Sequence, residues 1–403
     1  MQNTYKLQKE RKKIALVTPW PEQQTGIANF VYRLTPYLSQ YFDTDIFIDN
    51  TKDNDIRFLP YQYGNAYFIN ELDDRYKDYD EIIYHMGNSE KHHSGIYQYL
   101  KKYSGIVELH DYVMHAFFYH SYYLHGDQET YRQALIDGYG ESGKAHFESV
   151  LAGRSYPDGD RFPMSESLSH ISKKIIVHNT WSYLMLPDKN LKYLIPHPCF
   201  DRQDQNTDKI QNAEISVLKK INKKEKEVII GCFGWINDNK RPDIVIRAVA
   251  KLIAWGYRAR LVFFGENNSS KVSTVIEQEK MNEHVTITGY ILAEEYTAAL
   301  NNCDLVINLR YPSMGESSGT LCEAFRQAKA VIVTAVNQYL EYPDEVCWKL
   351  PVCKNEYLIL AEMIKYLTDH EKVRRQLEKN AKEYAAEVLS GDNIARMYTQ
   401  VIN

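Results

Sequence analysis

At 403 residues, with 44% hydrophobic and 25% charged positions, the chain carries enough apolar side chains for two or three cored domains. A formal net charge of −5 excludes nucleic acid as the main partner, because binding a phosphate backbone needs a basic surface. No run approaches the ~20 apolar residues of a spanning helix, and the first residues lack the apolar heart of a signal peptide. Six cysteines lie scattered without CxxC spacing, so a cytoplasmic protein with reduced, packed thiols is expected.

Residues 6–13 (KLQKERKK) are a basic run with two readings: a solvated lead-in to the first strand, or a weak peripheral handle for the anionic cytoplasmic face of a membrane. Residues 13–20 (KIALVTPW) are a short apolar run of the buried parallel-strand type. A turn-rich loop over 21–26 leads into an amphipathic helix predicted over 27–42. Further strands are predicted at 81–86, 105–110, 174–178 and 192–196. The tyrosine- and glycine-rich stretch between His110 and Lys174 reads as helices with a mobile segment near 153–163. Residues 199–225 are a polar connector with an exposed helix. The alternation then restarts, with strands predicted at 227–233, 260–264, 284–288, 304–309 and 330–334 and helices such as 241–255 and 294–301 between them. Residues 355–403 are helical and charged. Strand–helix alternation at this spacing implies right-handed crossovers, and the fold class is α/β with two Rossmann-like domains facing a cleft.

In open α/β sheets ligands bind beyond the carboxyl ends of the strands, where helix N-termini point. The strand at 304–309 is followed by RYPSMGESSG, with a helix predicted from Thr320. Gly315 and Gly319 let the backbone approach a ligand closely. The first turn of the new helix, with Ser318 and Thr320, offers unpaired N–H groups and a positive dipole end to phosphate oxygens. Glu316 stands where a carboxylate can bind sugar hydroxyls, and Glu323, one turn into the helix, where it can take a ribose diol. A second loop, residues 233–242 (FGWINDNKRP), also joins a strand to a helix, and Lys240 with Arg241 supplies positive charge there. Without further context these residues have a second reading, as helix-starting surface groups.

The two loops together resemble the donor site of the large glycosyltransferase group 1 family, the retaining GT-B type that includes many bacterial nucleotide-sugar enzymes. Its typical Pro-Ser-x-x-Glu-x-x-Gly start is matched by Pro312, Ser313, Glu316 and Gly319. The resemblance implies that Glu316 contacts the donor sugar, Glu323 the nucleotide ribose, and Lys240 the donor diphosphate, with Arg241 a second clamp. The family usually has seven residues between the two glutamates, and here there are six; one residue fewer turns a helix by ~100°. Where the family often has an additional arginine, Trp235 stands here. By the same resemblance, Gly289 and Tyr290 (in TGY) lie near the base, and Gly26 (in TGIA) makes a close approach at a helix start. The loops 85–89 (HMGNS) and 108–111 (ELHD) resemble strand-end loops of bacterial members, so that His110 faces the donor sugar, oriented by Asp111 or a backbone carbonyl. His115 is read as structural.

The resemblance implies the GT-B architecture: an acceptor-side domain at 1–198, a connector at 199–225, a donor domain at 226–385, and a C-terminal helix at 386–403 crossing back. The activity implied is transfer of a hexose-type sugar from a nucleoside-diphosphate sugar to an acceptor hydroxyl, with retention. The acceptor is a saccharide, glycolipid or glycoprotein of cell-surface polysaccharide or glycan assembly. A nucleotide-sugar epimerase or phosphorylase, and a non-catalytic partner subunit, are the competing readings. No cofactor and no metal are expected. Eleven of the thirteen histidines precede residue 200, but without metal-ligand spacing. Four Asp-x-Asp triplets, at 43–45, 53–55, 78–80 and 158–160, are no more than 53 acidic residues produce by chance. No Walker, dinucleotide or nucleophile-elbow motif occurs.

Overall fold

A computed structural model describes residues 11–23, 25–49, 61–187, 192–201, 207–221 and 224–402. Most of the basic run and the Asp-x-Asp triplet at 53–55 lie outside the described residues. The chain forms two compact units. One comprises Met1–Pro196, Met314–Ser317 and Gly391–Asn403, the other His197–Ser313 and Ser318–Ser390. The C-terminal helix Gly391–Ile402 thus belongs to the first unit, and so does a four-residue piece of the glutamate loop.

The first unit holds seven parallel strands: β1 (Lys13–Thr18), β2 (Asp43–Ile48), β3 (Ala66–Phe68), β4 (Glu81–Met86), β5 (Ile106–Leu109), β6 (Lys174–Val177) and β7 (Lys192–Leu194). Their order is β3-β2-β1-β4-β5-β6-β7. The second unit holds β8 (Val228–Phe233), β9 (Ala259–Phe264), β10 (Val285–Ile287), β11 (Leu305–Asn308), β12 (Val331–Thr334) and β13 (Trp348–Leu350), in the order β10-β9-β8-β11-β12-β13. Both are doubly wound Rossmann-like sheets, and each reverses direction at its first strand, between β1 and β4 and between β8 and β11. Central strands such as β1 and β9 are buried along nearly their whole length. Each Val, Leu or Ile so enclosed contributes about 1.5–3 kcal/mol relative to exposure.

All ten strands expected from apolar runs are present within a residue or two of their expected limits. β2, β3 and β13 were not expected. β2 opens DTDIFI, whose first three residues read as a polar triplet. Its burial comes from the sheet: Asp45 Oδ1 accepts from Asn65 N (2.7 Å), Tyr79 Oη donates to Oδ2 (2.8 Å), and Lys13 Nζ lies 3.1 Å away. A buried carboxylate is tolerable with such partners, and these hold Asp45 below the usual carboxylate range although burial pushes it up. The first triplet is therefore structural.

The helix Gly26–Leu38 is capped by Thr25, whose hydroxyl accepts from Ala28 N (3.0 Å), and it buries Phe30, Val31, Leu34 and Leu38. It ends four residues earlier than expected. Pro36, inside it, cannot donate to Tyr32 O, and Thr35 Oγ1 does so instead (2.9 Å). The segment expected to be mobile is tied down at its C-terminal end. Phe162 and Met164 are buried, Met114 N donates to Pro163 O (2.7 Å), and His115 Nδ1 donates to Phe162 O (2.6 Å). None of the six cysteines is in a disulfide, and four of them are buried.

Candidate functional site

In the second unit a pocket lies at the sheet's reversal point, lined by the ends of β8 (Cys232, Phe233) and β11 (Ile307, Asn308) and by Gly234, Lys240 and Arg310. Gly234 has φ +80°, a conformation that favours glycine, and a Cβ there would meet Lys240 Nζ at 2.7 Å. The missing side chain lets the Lys240 ammonium lie over the turn, where it donates to Phe233 O (2.8 Å). Arg310 is the second residue past β11. Its backbone N–H donates to Thr334 Oγ1 (2.9 Å), and its guanidinium to Leu309 O (3.1 Å). Two cations thus share one pocket.

Arg241, expected as a second clamp, is differently employed. It has left-handed backbone (φ 56°), its guanidinium is ion-paired with buried Glu356, and it lies 5.3 Å over the Tyr311 ring. Trp235 is half exposed.

The helix Gly319–Arg326 begins at the expected place. Ser318, expected to bind donor, is its N-cap: the hydroxyl accepts from Leu321 N (3.3 Å) and from Asn308 Nδ2 (3.1 Å). Thr320 Oγ1 accepts from Tyr296 Oη (3.0 Å), and Glu323 is paired with Arg326 on the same helix (3.2 Å). A Cβ on Gly319 would come no nearer than 3.7 Å to His197. Gly289 has φ +70° with open space around it, and Tyr290 beside it is exposed.

In the first unit, Met314–Ser317 is held by Val113 N donating to Met314 O (3.0 Å) and Asn179 Nδ2 donating to Gly315 O (2.9 Å). Gly315 has φ +72°, and a Cβ on it would lie 2.6 Å from both Trp181 and Tyr112. Its close approach is therefore to protein, where a ligand was expected. Glu316 Oε2 accepts from Met314 N (2.8 Å). The neighbouring Asp111, whose Oδ2 accepts from Asn88 N (2.8 Å), is pushed up to about 6 by burial and then by the Glu316 charge.

His110, following β5, has Nε2 3.1 Å from Nδ1 of His85 at the end of β4. The Phe30 and His178 rings lie 4.8 Å away. His85 is thus one partner that orients His110. Under this pair lies the fully buried Glu108, with Oε1 accepting from Tyr398 Oη (2.6 Å) and Oε2 3.7 Å from His85 Nδ1. Ligand-type atoms of His85, Glu108 and His110 lie within 4.8 Å of one another. Adjacent strands bring them together, which chain spacing could not reveal. Gly26 stands at the first turn of its helix with open space at its Cβ. His115 is buried, with Nε2 accepting from Tyr131 Oη (2.5 Å), which suits the structural reading.

Sequence reasoning assigned no role to Arg310, His85 or Asn179. Each stands at, or within two residues of, the carboxyl end of a strand, and that position was the signal available.

Among the described residues no helix is long and apolar enough to cross a membrane. Residues 215–384 match the family described as "Glycosyl transferases group 1". No curated protein matches the sequence. Among solved structures, the sucrose-phosphate synthase of Thermosynechococcus elongatus is similar at 15% identity and TM-score 0.65, covering 97% of this chain and 98% of that one. Anabaena HepE in complex with UDP is similar at 14% identity and TM-score 0.63, with 97% and 99% covered. A structure titled as a putative UDP-N-acetylglucosamine 2-epimerase from Listeria monocytogenes follows at 10% identity and TM-score 0.54, with 97% and 96% covered. The shared fold is GT-B.

Proposed function

Because residues 215–384 form a glycosyl transferases group 1 domain, we propose that this chain transfers a hexose-type sugar from a nucleoside-diphosphate sugar to an acceptor hydroxyl, with retention and with no metal on the donor. The observation that carries this reading is the pocket at the β8/β11 reversal point, with Lys240 and Arg310 on its wall. A nucleoside diphosphate leaves with growing negative charge, and fixed cations in a shielded pocket stabilise it. Lys240 is the clamp, and Arg310 supplies the second charge that this chain lacks at Trp235, where the family often has an arginine. Arg241 braces the loop through Glu356. The open helix start at Gly319 and Thr320 faces its N–H groups to phosphate, and Gly26 serves the same purpose in its own unit.

Glu316 and His110 act on the sugar: Glu316 holds hydroxyls as a carboxylate, and His110 donates a hydrogen bond. Glu323 is assigned to the ribose and Gly289 with Tyr290 to the base. The departing diphosphate oxygen accepts the proton of the attacking hydroxyl on the same face, so no protein nucleophile is needed. The acceptor is a saccharide, glycolipid or glycoprotein intermediate, met on the cytoplasmic side. UDP in the structure of Anabaena HepE supports a uridine nucleotide as the first donor to try.

A thermal-shift series with UDP, GDP, ADP and their sugars tests the donor, since a ligand bound only to the native state raises its melting temperature. A rise with one nucleoside diphosphate family is expected; no rise with any of them would overturn the reading. Incubating that donor with and without a saccharide mixture separates the runner-up, because an epimerase converts the donor alone.

A further inference from the structure

We propose that His85 is a positioning residue that fixes His110 as its Nδ1–H tautomer, so that His110 presents a single N–H donor and no basic Nε2. The inference rests on the reading of His110 as the group that acts on the sugar.

Two imidazole nitrogens 3.1 Å apart must share one proton, one nitrogen donating and the other accepting. Two arrangements are available. If His110 Nε2 donated, the proton of neutral His85 would sit on its Nε2. That atom is fully buried and has no hydrogen-bond partner, and a buried N–H left unmade costs more than an unused lone pair. If His85 Nδ1 donates, its proton points at His110 Nε2 and also faces Glu108 Oε2, 3.7 Å away, which is an acceptor whether Glu108 is a carboxylate or an acid protonated on Oε1. The second arrangement strands no donor.

Glu108 is held in the orientation this requires. Tyr398 Oη donates to its Oε1 (2.6 Å), and His178 Nε2 lies 3.4 Å from the same oxygen. His178 Nδ1 donates to Ile195 O (2.9 Å), so in neutral His178 the Nε2 carries no proton and, as an acceptor, suits a Glu108 protonated on Oε1. Burial favours that acid, pushing Glu108 up to about 8, and keeps His85 neutral by pushing it down to about 3. His93 Nδ1 donates to His85 O (3.2 Å), which fixes the backbone beneath the ring. The network therefore runs from the C-terminal helix through Glu108 to His85 and His110, all within one unit.

The test is the tautomer itself, read from the side-chain 1H–15N spectrum of 15N-histidine-labelled protein. His110 is expected as Nδ1–H at neutral pH. In His85→Leu it should revert to the Nε2–H form that free imidazole prefers, with kcat down on the order of tenfold to a hundredfold and KM for the donor little changed. His85→Asn, whose amide can place an N–H near the Nδ1 position, should restore the Nδ1–H tautomer and most of kcat. An Nε2–H signal for His110 in the unmodified protein overturns the proposal, whether or not the variants fold. So does one tightly held zinc per chain by elemental analysis, which would claim the same nitrogens. If His110→Ala keeps full activity while the wild-type spectrum shows Nδ1–H, the catalytic reading fails and the tautomer assignment stands.

Discussion

The two units share one strand order and one reversal point, yet they line their strand ends with opposite chemistry. The ends of β8 and β11 carry cations, Lys240 and Arg310, over a glycine turn. The ends of β4, β5 and β6 carry His85, His110, His178 and the buried acid Glu108. One sheet offers fixed positive charge; the other offers oriented hydrogen-bonding groups, His85 among them held neutral by burial, and adds Glu316 on a borrowed four-residue segment. A doubly wound scaffold sets where a site lies, and the residues just past each strand decide what it does.

The sharpest way to break this comparison is Glu316→Ala. Turnover should fall on the order of 10²-fold or more with the melting temperature preserved; near-normal turnover would remove the carboxylate from the first unit's share of the chemistry. Next comes Lys240→Ala, which should weaken nucleoside-diphosphate binding roughly tenfold, the worth of a charge-assisted hydrogen bond. Arg310→Ala should weaken it in the same direction, since its guanidinium stands on the same pocket wall. Unchanged calorimetric affinity in both would deny the second unit its role.

Acid sharpens the contrast through stability. The described buried histidines, His85, His93, His115 and His178, all lie in the first unit. Burial holds His85 and His93 down to about 3 and His115 down to about 4. Unfolded imidazoles take protons below about 6.5. These depressed groups therefore contribute stability that is complete above that pH and is lost as pH falls toward 3–4. Glu108 and Asp111, raised to about 8 and about 6 in the same unit, gain stability as pH falls to about 4.5 and offset part of this loss. Hydrogen exchange at pH 5 and pH 3.5 should therefore show protection lost first in the first unit; an equal loss in both would contradict the assignment. The smallest effect separates two glycines. Gly315→Ala puts a Cβ 2.6 Å from Trp181 and Tyr112 at positive φ and should cost about 1–3 kcal/mol, whereas Gly26→Ala enters open space at a helix start and should change stability by less than about 1 kcal/mol.

Much of this was legible because it depends on local pattern. Buried parallel strands read as apolar runs, so ten of the thirteen strands among the described residues could be placed. The helix start at Gly319 followed from the glycine-rich turn after a strand. The strands that escaped, β2, β3 and β13, are short or begin with polar residues. β2 is buried because Lys13, Asn65 and Tyr79 satisfy Asp45 from elsewhere in the chain. Glu316 and Lys240 stood out in their loops, but the loops did not say that Arg241 would pair with Glu356 or that Gly315 would pack on Trp181.

By itself, then, the sequence determined the α/β alternation, the two sheets and the loops at which they would carry chemistry, since strand burial and helix starts are written in neighbouring residues. Only the tertiary structure decided which side chains those loops would bring together. His85 and His110 are 25 residues apart and Glu108 and Tyr398 are 290 apart, yet each pair is in hydrogen-bond contact. Such contacts arise from strand order and from a terminal helix returning to the first sheet, and no periodicity along the chain encodes them.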